Sequence, residues 1–278
     1  MKTKKYFQHK KKWDQHFLKD GNMLRKIVST AGVTQKDDVI EIGCGEGHLT
    51  QLLCAHVHHC YIFEIDEEAI ICTQERLGDY THFTCICGDV LKTFPDFLHE
   101  HINDRFTLVA NIPYSITSPL LTIFTEFSTR FSKIFLTVQK EIAERLTARP
   151  NTSSYSGLTV KTSLYFDISY LFSIPAHLFI PPPKVDSAFI SLIPKDLKPR
   201  DTQLIEKVVN ATFWGKRKKL STSLLHSPYL KLTKKQIAAS LASLHLDPAL
   251  RPQHLSQQQF IDLTSALKDA GLVESQGE

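Results

Sequence analysis

The sequence predicts an α/β fold, an open sheet with helices on both faces, followed by a small all-helical domain. Three observations carry this expectation. Short, β-branched apolar runs alternate with helical periodicities through the first two-thirds of the chain. A glycine-rich turn, Gly43-Cys44-Gly45-Glu46-Gly47, stands between the first such run and the first helical pattern. Beyond about residue 202 the strand pattern stops and only amphipathic helical periods remain.

The first strand is expected over residues 39–42, and the glycine turn then opens into the helical Leu49-Thr50-Gln51-Leu52-Leu53. Glycine permits a tight turn and lets a ligand approach where a Cβ would clash. The spacing Gly-x-Gly-x-Gly is not the Gly-x-Gly-x-x-Gly of a dinucleotide site, and no Gly-Lys-Ser/Thr of a phosphate loop follows. The turn therefore suits a nucleoside-like molecule without a pyrophosphate. A second strand, 60–66, ends at Glu64, about twenty residues past the glycines, where a carboxylate reaches a ribose diol. Asp66 reads as the N-cap of a helix over 67–77. A third strand, 83–87, delivers Gly88-Asp89-Val90, with Asp89 placed to accept from an adenine amine.

A fourth strand, 106–110, ends at Asn111-Ile112-Pro113-Tyr114. The Asn side-chain oxygen and the Ile112 carbonyl can both accept from an exocyclic amine. Pro113 stiffens the loop, and Tyr114 offers a face for stacking. Asn-x-Pro-x also occurs in ordinary turns. Its place at a strand end, beside two acidic strand ends and a glycine turn, makes it the wall of a ligand site. Later elements are expected as a strand at 131–139, helices at 140–148 and 157–164, and strands at 168–174 and 188–193. Pro181-Pro182-Pro183 makes a stiff turn, and 195–202 is the linker. Helices follow at 204–212, 216–225, 234–244 and 256–270, the last with Ser256 as a candidate N-cap.

Those motifs resemble the S-adenosylmethionine-dependent class I methyltransferases that modify adenine N6. More narrowly, the chain resembles the KsgA/RsmA family of ribosomal RNA adenine dimethyltransferases. Gln15-His16-Phe17-Leu18, Phe179-Ile180-Pro181-Pro182-Pro183-Lys184-Val185-Asp186-Ser187 and Phe213-Trp214-Gly215-Lys216-Arg217-Lys218-Lys219 are similar to further family stretches. The resemblance runs from about residue 10 to the end. It implies a Rossmann-like sheet over 1–194, with a basic N-terminal arm, and a helical RNA-binding domain over 195–278. It implies S-adenosyl-L-methionine as co-substrate, held by His16, Leu18, Gly43, Gly45, Glu64, Asp89 and Asn111, with Gly47 close by. Asn111 and Tyr114 would be catalytic, and Phe179 would stack on the base opposite Tyr114. The implied target is two adjacent adenines in a loop near the 3′ end of 16S rRNA, within an immature 30S subunit. Three positions depart from the family: His16 replaces the usual Asn, Trp13-Asp14 the usual Phe-Gly, and Ser115 a common Asn. The alternatives are an Erm-type large-subunit rRNA methyltransferase, a DNA adenine methyltransferase, and an RNA-binding assembly factor without the chemistry.

Charge supports a polyanionic partner. Residues 1–25 carry +6, residues 26–194 carry −7, and residues 195–278 carry +5. Basic ends around an acidic core suit a phosphate backbone gripped on either side of a site. Lys216, Arg217, Lys218 and Lys219 are the densest cluster, expected on one helical turn, where they repel one another without a polyanion. The six cysteines, at positions 44, 54, 60, 72, 85 and 87, read as reduced thiols, mostly buried in apolar patterns. No Cys-x-x-Cys zinc pair, membrane-length apolar run or secretory h-region is present, so a cytoplasmic, metal-free monomer is expected.

Overall fold

A computed structural model describes residues 16–215 and 217–271. Lys2–Lys12 of the basic arm, Trp13, Asp14, Gln15 and Lys216 therefore lie outside the described residues. In chain order the elements begin with β1 (Phe17–Leu18), α1 (Gly21–Ala31), β2 (Asp38–Ile42), α2 (His48–Cys54), β3 (His59–Glu64) and α3 (Glu67–Leu77). They continue with β4 (Phe83–Cys87), α4 (Val90–Glu100), β5 (Phe106–Asn111), α5 (Thr117–Glu126), β6 (Phe131–Gln139) and α6 (Lys140–Leu146). Then come α7 (Gly157–Ser163), β7 (Phe166–Ile174), β8 (Phe179–Ile180) and β9 (Ser187–Pro194). The chain closes with α8 (Thr202–Phe213), α9 (Leu220–His226), α10 (Lys234–Ser243) and α11 (Gln257–Asp269).

Seven strands form one sheet in the order β4-β3-β2-β5-β6-β9-β7. Strands β2 to β6 pair in parallel, and β9 returns antiparallel to β6. The chain winds outward from β2 to β3 and β4, then restarts at β5 on the other side of β2. The gap at the carboxyl ends of β2 and β5 is the topological switch point, where such sheets bind ligands. Local chemistry sets the helix starts. Asp20, Asp66 and Asp89 each accept a backbone N–H as N-caps of α1, α3 and α4. Inside, Phe63, Phe94, Phe106, Phe124 and Phe131 are fully buried, with Phe63 and Phe94 meeting edge-on at 5.0 Å. Each such ring contributes about 1.5–3 kcal/mol by leaving water.

The chain divides into two compact units, and the division is not a single cut at residue 194. Of the described residues, 16–143 and 167–194 form the first, and 144–166, 195–215 and 217–271 the second. The segment 144–166 joins the second because its apolar side chains pack there. Tyr165 Oη donates to Glu206 Oε1 at 2.7 Å, and Gly157 lies against Val209 and Phe213. Phe213 stacks on Phe260 at 5.8 Å, so it is a core anchor and not a surface ring. Capping boxes at Thr233 and Ser256 start α10 and α11, as expected for Ser256.

One expected element is different. The helix expected over 216–225 is shorter among the described residues: α9 begins at Leu220, and Lys219 is its extended N-cap, at φ −63° and ψ 150°. Three or four cations at a helix N-terminus would oppose the positive end of the helix dipole. Arg217, Lys218 and Lys219 instead occupy an exposed connection, with Lys218 Nζ 4.6 Å above the ring of Trp214. Of the cysteines, all are unpaired thiols; Cys44, Cys54 and Cys60 are buried, whereas Cys87, on the edge strand β4, is exposed. No helix among the described residues is long and apolar enough to cross a membrane.

Candidate active site

The first unit holds a cavity of about 320 Å³ at the switch point. Its walls come from the glycine turn after β2, the ends of β3 and β4, the Asn111–Ile116 segment and the arm residues His16 and Phe17. This brings together His16, Gly43, Gly45, Glu64, Asp89, Asn111 and Tyr114, all anticipated from the sequence. Val90 and Ile112 also line it.

The glycine turn is held from three sides. Gly45 N donates to Glu64 Oε2 at 3.2 Å, Thr73 Oγ1 donates to the Gly45 carbonyl at 3.1 Å, and Gly43 N donates to the Phe63 carbonyl at 2.8 Å. Gly45 has φ +54°, and a Cβ there would collide with the ring of Phe17. Only glycine meets both conditions. Gly47 does not line the cavity; its bare Cα lets α2 pack on Thr73 of α3.

Glu64 is buried, and its carboxylate already works within the protein. Oε1 accepts from the backbone N–H of Ile65 and Asp66 at 2.8 and 3.0 Å, while Oε2 receives Gly45. Burial pushes its carboxyl up, and those three N–H donors pull it back toward the charged form. Glu64 thus ties β3 to the glycine turn while facing the cavity. Asp89 also has two tasks: Oδ1 caps α4 through Leu91 N at 3.1 Å, and the residue lines the cavity.

On the opposite wall, Asn111 Nδ2 donates to the His16 carbonyl at 3.0 Å. A carbonyl can only accept, so the amide orientation is settled, and Oδ1 is the remaining acceptor. Tyr114 sits in a short 3₁₀ turn, its hydroxyl 2.6 Å from Ser187 Oγ. His16 stacks on the Tyr114 ring at 5.6 Å, and its Nδ1 donates to the Pro181 carbonyl at 2.8 Å. The His16 ring is therefore engaged by the Tyr114 and Pro181 side of the site.

Two anticipated residues are not on the cavity. Leu18 and Phe179 are 5% and 1% exposed, both within the apolar core, and neither lines the site. They face one another across the antiparallel β1–β8 ladder. Side chains alternate along a strand, so Phe17 points to the cavity where Leu18 points to the core. By the same alternation Ile180 is exposed and Phe179 is covered. Phe17, Ile42, Phe63, Ile65 and Leu91 line the cavity without having been singled out.

A model of the family described as "Ribosomal RNA adenine dimethylase" matches residues 6–267. The chain belongs to this family. It is 38% identical over 274 residues to the "Ribosomal RNA small subunit methyltransferase A" of Lactiplantibacillus plantarum, covering 96% of this chain and 92% of that one. It is 37% identical to the same-named protein of Caldanaerobacter subterraneus, covering 93% and 97%. Among solved structures it is similar to a dimethyladenosine transferase from Plasmodium falciparum, with TM-score 0.79 and 28% identity, covering 92% and 99%. The 23S rRNA methyltransferase ErmE matches with TM-score 0.69 and 26% identity, covering 91% and 99%. Family membership makes the chain a ribosomal RNA adenine methyltransferase that uses S-adenosylmethionine. The cavity fits that co-substrate: a bare glycine turn, two carboxylates at strand ends and apolar walls from Ile42, Phe63 and Val90.

Proposed function

We propose that this methyltransferase converts two adjacent adenines near the 3′ end of 16S rRNA to N6,N6-dimethyladenosine, within an immature 30S subunit. The observation that carries the chemistry is Asn111: its Nδ2 is committed to His16, which leaves Oδ1 as the acceptor of a residue that lines the cavity next to Ile112. Oδ1 and the Ile112 carbonyl would take both N–H bonds of the N6 amine. That draws the nitrogen toward a tetrahedral shape with its lone pair free to attack.

S-adenosylmethionine, when bound, supplies an electrophilic methyl on a sulfonium. Gly43, Gly45 and the Asn111 carbonyl would border its methionine part, Glu64 the ribose and Asp89 the adenine edge. No strong base is needed, because the alkylated nitrogen becomes acidic as the new bond forms. Catalysis then rests on positioning and electrostatics. Tyr114 would stack on the target base, which must be unpaired or flipped to enter. With Phe179 buried, stacking opposite Tyr114 falls to another group or needs a rearranged β1–β8 ladder.

In the helical unit, exposed Arg217, Lys218 and Lys219 beside Trp214 suit a phosphate backbone, as does Lys216 by sequence. The curated relatives named for the small subunit favour it over the large-subunit alternative. We place the enzyme in the cytoplasm as a monomer. Among the described residues no cluster of three or more His, Cys, Asp or Glu could hold a metal ion. Mass spectrometry of 16S rRNA from cells with and without the protein tests the assignment. Loss of two adjacent dimethyladenosines on deletion is expected; loss of an adenine mark on large-subunit RNA instead would overturn it.

A further inference from the structure

The glycine turn and the N-terminal arm are joined by an ion pair that the transfer chemistry does not use. Lys19, just past β1, places Nζ 2.5 Å from Oε1 of Glu46, which stands between Gly45 and Gly47. The two side chains are only 27% and 19% exposed. Glu46 is itself braced from α3, where Arg76 Nε donates to its carbonyl at 2.6 Å. His48 Nε2 lies 3.6 Å from the second carboxylate oxygen.

The arm crosses the cavity between two attachments. At one end the His16 carbonyl accepts from Asn111, and at the other Lys19 reaches the glycine turn. Between them the Phe17 ring lies against Gly45. The backbone ladder beneath is slight, since β1 and β8 share two residue pairs. A two-residue ladder is marginal by itself. The charge pair is thus a direct side-chain link from the arm to the glycine turn, beside the Phe17 contact with Gly45.

We infer that Lys19 and Glu46 are a positioning pair that holds the arm across the co-substrate cavity and sets its affinity for S-adenosylmethionine. The inference rests on the reading of this cavity as the co-substrate site. Neither residue lines the cavity, so their effect is transmitted through Phe17 and the glycine turn.

Calorimetric titration of the full chain with S-adenosylmethionine tests it, with transfer kinetics alongside. Lys19→Met and Glu46→Gln should each raise Kd and KM for S-adenosylmethionine about fivefold, the upper range for a partly buried pair. Saturated kcat and KM for RNA should stay within twofold. The double variant should be no weaker than either single one, because both break one contact. Lys19→Arg, which keeps the charge, should bind as the wild type does. Unchanged affinity in the single variants, or additive losses in the double variant, would overturn the positioning role. A wild-type chain that fails to bind S-adenosylmethionine would overturn the cavity reading itself, and this inference with it.

Discussion

The two walls of the cavity are built to different standards of closure. On the glycine-turn side nearly every polar group has a partner within the protein. Gly45 is gripped at N and O, Glu64 collects three backbone N–H groups, and Asp89 caps α4. On the Asn111 side the groups are oriented but not saturated. One end of the Asn111 amide is pinned to His16 and Tyr114 is tethered through its hydroxyl. The ring expected to face Tyr114 is folded into the core. A wall for a small co-substrate can be finished in advance, because the molecule is always the same. On the proposed reading, the wall for a base pulled from a large RNA leaves its acceptors open, and its final contacts wait for the substrate.

That contrast predicts separable losses. Asn111→Ala should cut single-turnover methyl transfer by about a thousandfold, the order seen when a preorganised polar group is removed. Its calorimetric affinity for S-adenosylmethionine should fall only about fivefold, through the lost attachment of the arm at His16; a loss of binding as large as the loss of transfer would erase the distinction between the walls. Gly45→Val should do the reverse, weakening co-substrate binding about a hundredfold, since a β-branched residue at φ +54° collides with Phe17. Adding Phe17→Ala should recover part of that loss if the collision is the cause. Replacing Arg217, Lys218 and Lys219 with Gln should weaken RNA binding about tenfold at low salt. It should also lower the slope of log Kd against log salt by about 2, with co-substrate binding unchanged.

The smallest effect concerns stability. Burial pushes the Glu41 carboxyl, behind the glycine turn on β2, up to about 8. In the unfolded chain it titrates near its ordinary 4.5. Between those values the folded chain holds a proton that the unfolded chain releases, so stability falls as pH rises across that window. Glu41→Gln should therefore lose less melting temperature than the wild type between pH 5.5 and pH 8, by roughly 5 °C. Equal losses in both proteins would mean that Glu41 is charged in the folded state.

Much of this site was legible because it is local. Gly43-x-Gly45-x-Gly47 follows a short apolar strand, and Glu64, Asp89 and Asn111 each end or follow a strand whose limits are written in neighbouring residues. Strand ends in a wound sheet converge, so naming them nearly names the site. The burial of the Leu18 and Phe179 side chains has one origin. Their expected site roles follow from the family resemblance in sequence, and a two-residue strand has too little pattern to show its faces. Their orientation depends on pairing across the chain, Leu18 with Phe179. The expected helix over the basic cluster failed for another reason: apolar periodicity locates a helix but does not weigh the dipole cost of cations at its start.

By itself, then, the sequence determined the strand and helix order, the glycine turn, the acidic strand ends, the Asn-Ile-Pro-Tyr wall and the basic character of the helical region. Each follows from residues close together in the chain, whose spacing and backbone preferences act locally. Tertiary structure decided which of two neighbouring arm residues faces the cavity and that Phe179 belongs to the core. It also decided that residues 144–166 fold with the helical unit and that Lys19 meets Glu46. Those outcomes depend on side chains that meet only after distant segments pack, and no local period encodes which partner will be there.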